Sequence, residues 1–233
     1  MQSIRRAADR GRTSGNGIIS RHSFSYGDYL SRDHMGFGPL VALNEDHVAP
    51  GAAYPAQTNA NMEVLSFVVS GSFTYADSLG NTALVGPGGL VGLGAGTGVR
   101  HQGRNAAAGA PLSLLRLWIV PERDALEPRL TVASAPAEAR SGRLLPLATR
   151  EGAKGTVPLH RDVTVACASL AAGQGVTHRV AEGRGAWLQV IRGRVSAADT
   201  RLEPGDGLAV SGVPNLRIHA LSAADVLLVD VVL

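Results

Sequence analysis

One pattern constrains this chain more than any other: a run of short strands and tight turns that occurs twice in the same order. The first occurrence reads Val68-Val69-Ser70-Gly71-Ser72-Phe73, then Pro87-Gly88-Gly89, then His101, then the apolar run 114–120. The second reads Val190-Ile191-Arg192-Gly193-Arg194-Val195, then Pro204-Gly205-Asp206, then His219, then the apolar run 226–232. Self-similarity of this kind is the mark of a duplicated structural unit. The period of the apolar residues is mostly two. The runs 64–69, 114–120, 163–167 and 226–232 read as short buried strands, and Leu79-Gly80-Asn81 and Gly86-Pro87-Gly88-Gly89 supply turns between them. Many short strands with glycine and proline turns, and little that repeats every 3.6 residues, predict an all-β chain of two small barrels in tandem. The expected division is a first domain over 1–130, a connector over 131–143 rich in Ala, Pro and Arg, and a second domain over 144–233.

Composition removes several classes of function. A single cysteine among 233 residues excludes a disulfide framework and a thiolate zinc cluster. That residue, Cys167, lies in an alternating strand, where a buried inert thiol is expected. The net charge of +3 is too small and too scattered to predict a nucleic-acid partner. Arg5, Arg6, Arg10 and Arg12 precede no apolar core, so no secretory signal is read there. No uninterrupted apolar stretch reaches membrane length, so neither a membrane span nor a membrane partner is expected, and a cytoplasmic protein is the default. The glycine-rich run 86–98 contains no dinucleotide or phosphate-loop signature, and no Gly-x-Ser-x-Gly nucleophile elbow occurs. Arg100 beside His101 is equally a solvated arginine and a guide for an anion.

Each copy resembles a cupin, a small jelly-roll β-barrel with a site in its mouth, and the whole chain resembles the pirins, two-cupin proteins with bacterial members described as quercetin 2,3-dioxygenase-like. The resemblance is carried by Arg21-His22-Ser23-Phe24-Ser25-Tyr26-Gly27-Asp28-Tyr29, His34-Met35-Gly36-Phe37-Gly38 and Leu43-Asn44-Glu45-Asp46. It continues through Asn61-Met62-Glu63, Ala95-Gly96-Thr97-Gly98-Val99-Arg100-His101 and Trp118-Ile119-Val120-Pro121-Glu122, and in the second half through His160-Arg161-Asp162, Trp187-Leu188-Gln189-Val190 and Asp225-Val226-Leu227-Leu228.

What the resemblance implies is a mononuclear metal, usually taken as iron, in the first cupin. Its ligands would come from a His-Pro-His triplet before the Met-Glu pair and a His-x-Glu after the Gly-Thr-Gly turn. Residues two apart on a strand point the same way, so two such pairs can converge on one ion. Counted from Met62-Glu63, the triplet falls on Gln57-Thr58-Asn59. Counted from Gly96-Thr97-Gly98, the pair falls on His101 and Gly103. Only His101 keeps a ligand's chemistry, since Gln57 and Asn59 offer neutral amides and Gly103 offers no side chain. One imidazole with two amides is a weak set for iron, so no metal cofactor is expected.

The expected site is therefore a small polar pocket of Gln57, Asn59, Glu63, His101 and Gly103, with no catalytic residue assigned. Glu63 lies an even number of residues beyond Asn59 and would share its face in an unbroken strand. A hydrogen bond within the barrel mouth is the expected role for its carboxylate. His160, His178 and His219, with Asp162, Glu182 and Asp206, form no ligand pattern in the second half, and His22, His34 and His47 lie outside the ligand positions. The function expected is non-catalytic: binding of a small molecule, or regulation through a protein partner. The alternative is a metal-dependent dioxygenase of the quercetinase type.

Overall fold

In a computed structural model of the chain, described for residues 1–150, 152–153 and 155–233, nearly every element is a β-strand. Among the described residues the one helical segment is the 3₁₀ turn Ala7–Asp9. Among the described residues no helix is long and apolar enough to cross a membrane.

The duplication is visible in the sheets. A seven-stranded sheet runs in the order Arg129–Ser134, Gly89–Gly94, Glu63–Ser70, Leu112–Ile119, Leu40–Val48, Ile18–His22 and Gly11–Gly15. It faces a four-stranded sheet of Gln57–Asn59, Val99–Asn105, Phe73–Asp77 and Thr82–Val85. The second half repeats the plan. Its seven strands are Gln2–Arg5, Gly207–Ser211, Arg184–Arg192, Ala224–Val232, Val163–Leu170, Leu145–Thr149 and Val157–Pro158. Its four-stranded sheet is Gly175–Arg179, Asn215–Ala220, Val195–Ala197 and Thr200–Leu202.

The outer strands depart from the expected division. Gln2–Arg5 pairs antiparallel with Gly207–Ser211, so the first residues of the chain belong to the second barrel's sheet. Arg129–Ser134 pairs with Gly89–Gly94 along its whole length. The segment 131–143, expected as a connector, therefore starts as sheet, and 1–130 carries a strand of the other barrel. Gln2-Ser3-Ile4-Arg5 has one apolar residue and a partner some two hundred positions away, so no local pattern announces it.

Three apolar cores follow from these sheets. One fills each barrel, and the third lies between the two seven-stranded sheets. The strand Leu112–Ile119 shows how one sequence serves two cores. Leu112, Leu114 and Trp118 face into the first barrel, while Leu115, Leu117 and Ile119 face the second half. A strand buried on both faces reads as a continuous apolar run rather than an alternation. Cys167 sits in the shared core, and burial pushes its thiol up to about 11, against the pull of Arg140.

Arg10 fastens the N-terminal segment to both halves. Its buried guanidinium donates to Glu45 Oε2 at 2.8 Å, to the Gly205 carbonyl at 3.1 Å and to the Arg21 carbonyl at 2.8 Å. Burial raises the pKa of Glu45, but the contacts from His47 and Arg10 outweigh it and hold the carboxyl down at about 2. A carboxyl that ionises more readily when folded adds stability above its ordinary value of 4.5, and that stability is lost as pH falls toward 2. Glu45→Gln should therefore remove up to about 3 kcal/mol at neutral pH. It should also flatten the acid limb of urea-unfolding free energies measured between those two pH values.

Candidate functional site

The site is built on three strands of the first barrel's smaller sheet. Val99–Asn105 lies between Gln57–Asn59 and Phe73–Asp77, which puts His101 opposite both Gln57 and Asp77. Along Val99–Asn105 the pattern alternates strictly: Val99, His101, Gly103 and Asn105 are buried, and Arg100, Gln102 and Arg104 are exposed. Arg100 thus points to solvent, away from the barrel interior.

The imidazole of His101 stacks on Tyr75, with ring centroids 5.5 Å apart. Asn59 Nδ2 donates to His101 Nε2 at 2.6 Å, and Gln57 Nε2 lies 3.5 Å from the same nitrogen. Burial, then the positive charge of Arg116, hold His101 down at about 4 despite Asp77, so the ring is neutral and Nε2 accepts. Tyr75 donates in turn to Asp77 Oδ2 at 3.2 Å.

Gly103 faces inward beside this cluster, and another side chain already fills its space. A Cβ at position 103 would stand 2.5 Å from Cε2 and 2.6 Å from Cζ of Phe73. Gln57, Asn59 and His101 therefore converge as expected, with Gly103 adjacent and Phe73 packed where its side chain would begin. The donors gathered here are one imidazole and two neutral amides. Among the described residues no group of three or more His, Cys, Asp or Glu side chains is placed to hold a metal ion.

Glu63 is not part of this cluster, contrary to expectation. The strand is interrupted after Asn59: Asn61 has φ 50°, and Glu63 opens a strand of the other sheet. The even spacing therefore carries no parity across the break. Glu63 turns toward the second half, where its Oε1 accepts from the backbone N–H of His160 at 3.0 Å. Burial raises its pKa, moderated by that hydrogen bond and by Arg129. Its bond ties the two barrels together rather than shaping the mouth.

A second set of side chains lines a cleft of the same barrel. This cleft of about 240 Å³ is lined by His22, Tyr26, Asn44, Asp46, Tyr54 and Arg116 among others, and its wall reaches Gln57. His22 Nδ1 donates to Asn44 Oδ1 at 2.8 Å and its Nε2 meets Thr13 Oγ1 at 2.9 Å, so this histidine, set aside from sequence, is a wall of the cleft. Sequence reasoning missed Arg116. The available signal was a charge inside the apolar run 114–120, a place where a charged side chain has to face something polar.

The other histidines stay apart. His34 meets Ser31 Oγ at 2.9 Å, and His47 pairs with Glu45 at 3.3 Å. In the second half His178 Nε2 lies 2.5 Å from Asp230, which also pairs with Arg184, while Arg184 reaches Asp162. Asp206 is held by Arg6, which anchors the segment after Gln2–Arg5. His160 meets Glu63 through its backbone alone.

Two jelly-roll barrels joined face to face, the first with a histidine-centred polar site between its sheets, define a bicupin. The pirin family profile matches residues 4–119, and the quercetinase C-terminal cupin domain matches 146–231. The chain belongs to the pirin family. It is 31% identical over 227 residues to the quercetin 2,3-dioxygenase of Escherichia coli K12, covering 97% of each protein. It is 29% identical over 214 residues to the pirin-like protein of Caulobacter vibrioides, covering 91% and 92% of the two. The crystal structure of the bacterial pirin YhhW from Escherichia coli in complex with nickel(II) superposes with a TM-score of 0.94 at 29% identity, covering 100% of this chain and 99% of that one.

Proposed function

We propose that this bicupin works without a catalytic metal, binding a small molecule in its first barrel in a regulatory rather than enzymatic role. The observation that supports the reading is the donor set around His101. The resemblance asks for three imidazoles and a carboxylate, and the side chains present at those positions are one imidazole and two amides. Amide oxygens are hard neutral donors that suit iron or nickel poorly, and the only anionic position is a glycine with Phe73 packed against it. His101 Nε2, the nitrogen a metal would need, already accepts from Asn59. These residues do not fit a tightly held transition metal, and no reaction step is assigned to one.

A second reading has its own support. The Escherichia coli relative is named a quercetin 2,3-dioxygenase, and the YhhW structure holds nickel. Under that reading this chain would be a metal-dependent oxidoreductase of the quercetinase type.

Metal analysis separates the two. Protein expressed with iron, manganese, nickel and zinc in the medium should emerge from gel filtration with far less than one metal per chain, and should leave quercetin unconsumed under air. Stoichiometric metal lost on changing His101→Ala, or quercetin turnover that chelation stops, would falsify the metal-free reading.

A further inference from the structure

Arg116 is 6% exposed, and it sits on a central strand inside the first barrel. Its guanidinium carbon lies 4.4 Å from the ring centroid of Tyr54 and 4.7 Å from that of Trp118. Those rings contribute cation–π attraction, which does not neutralise the charge. Nε is buried with no partner, and Arg116 enters none of the ion pairs among the described residues. A buried guanidinium with no carboxylate paired to it is costly, because desolvation of the charge is not fully repaid. Arg116 lines the cleft, so its terminal nitrogens are the part of the group that an occupant can meet.

A carboxylate, Asp46, stands in the wall of the same cleft. Its Oδ2 is taken by the Tyr54 hydroxyl at 2.8 Å, and its Oδ1 is sealed without a partner. Asp46 is engaged by Tyr54 and forms no ion pair with the guanidinium. Part of the remaining wall suits a flat apolar body: Ile18, Pro55, Tyr54 and the Tyr26 ring, which packs 4.6 Å from Trp118. His22, Asn44, Gln57, Thr13, Asn16 and Ser20 supply polar groups around it.

We infer that this cleft is a binding site for a small aromatic carboxylate, anchored by the guanidinium of Arg116. With rings against it, the guanidinium offers its N–H edge, and an in-plane pair of N–H donors matches the two oxygens of a planar carboxylate. At ordinary packing density, 240 Å³ accepts a molecule of about ten non-hydrogen atoms, roughly the size of a benzoate. A fixed positive charge inside the barrel thus provides the attraction for an anionic ligand that a bound cation would otherwise provide. The inference rests on the metal-free reading above and names the ligand class for it.

Calorimetric titration of the full chain with benzoate, benzamide and inorganic phosphate tests it. Benzoate should bind saturably in the millimolar range or tighter, benzamide at least about tenfold more weakly, and phosphate more weakly than benzoate. Arg116→Gln should weaken benzoate at least about tenfold while leaving benzamide unchanged, and Arg116→Lys should fall between them. Equal binding of benzoate and benzamide by the wild-type chain would overturn the site without any variant, so a misfolded Arg116→Gln protein leaves the test intact. No heat with benzoate, or full binding by a folded Arg116→Gln, overturns it as well, and tighter binding of phosphate overturns the carboxylate assignment. Metal content measured on the same samples keeps the two questions apart. Benzoate binding in metal-loaded protein would sink the metal-free reading alone, and silence in metal-free protein would sink the carboxylate site alone.

Discussion

A variant carrying Gln57→His, Asn59→His, Gly103→Glu and Phe73→Ala should bind nickel or zinc at least about a thousandfold more tightly than the unmodified chain. The two histidines would replace amides that already stand against His101, at 2.6 and 3.5 Å from its Nε2, so the imidazoles would start from converging positions. The glutamate is the harder replacement. Its Cβ would meet the Phe73 ring at 2.5 Å, and Phe73 is itself buried in the core of the first barrel. The triple variant that keeps Phe73 should therefore be overpacked, losing about 1–3 kcal/mol of stability and binding metal poorly. Isothermal titration and urea unfolding of both variants give the comparison. A quadruple variant that folds yet stays empty under saturating nickel would show that the ligand positions were counted wrongly. Full affinity in the triple variant would show that Phe73 is no obstacle.

The second large effect is expected in the core between the barrels. Trp187→Ala should cost about 3–5 kcal/mol, the range for removing a buried aromatic side chain. Trp187 comes from the second half, yet it packs 4.6 Å from Phe24 and 6.2 Å from Phe37 of the first. It also covers Gly207, where any Cβ would collide with the indole, so Gly207→Ala should be destabilising for the complementary reason. Urea unfolding followed by far-ultraviolet circular dichroism measures both. If the shared core holds the barrels in one cooperative unit, the wild type unfolds in a single transition and Trp187→Ala either shifts it far down or splits it in two. A loss below about 1 kcal/mol would mean that the interface contributes little to folding.

Much of the architecture was legible because duplication and period-two burial are properties of the sequence itself. The runs 64–69, 163–167 and 226–232 fall within strands of the two large sheets, as does the run 114–120 up to Ile119. Their unbroken apolar character comes from being covered on both faces, by a barrel interior and by the opposite half. The convergence of Gln57, Asn59 and His101 was also legible, since it depends only on alternation within short strands and on family spacing. What failed was parity carried across a break. Glu63 was placed with Asn59 by counting, and the left-handed Asn61 between them sends the chain into a different sheet. Long-range pairing failed for another reason. Gln2–Arg5 and Arg129–Ser134 become strands because an exposed sheet edge receives them, and neither edge is announced by their own residues. Arg116 stood in plain view within an apolar run. Its meaning depends on the rings of Tyr54 and Trp118, which only the folded barrel brings together.

The pairing of Gln2–Arg5 with Gly207–Ser211 also sets the order in which a nascent chain can finish. At a synthesis rate of about 5–20 residues per second, the leading strand would leave the ribosome roughly 10–40 seconds before the strand it pairs with. The first barrel has all its own strands by Arg129–Ser134 and can close while that strand is still unpaired. Completion of the second barrel then depends on capturing a segment made long before it, as a clasp closes on a band already wound. Separate synthesis of the two halves would leave the second without that strand and the edge of Gly207–Ser211 open to any chain able to add to it.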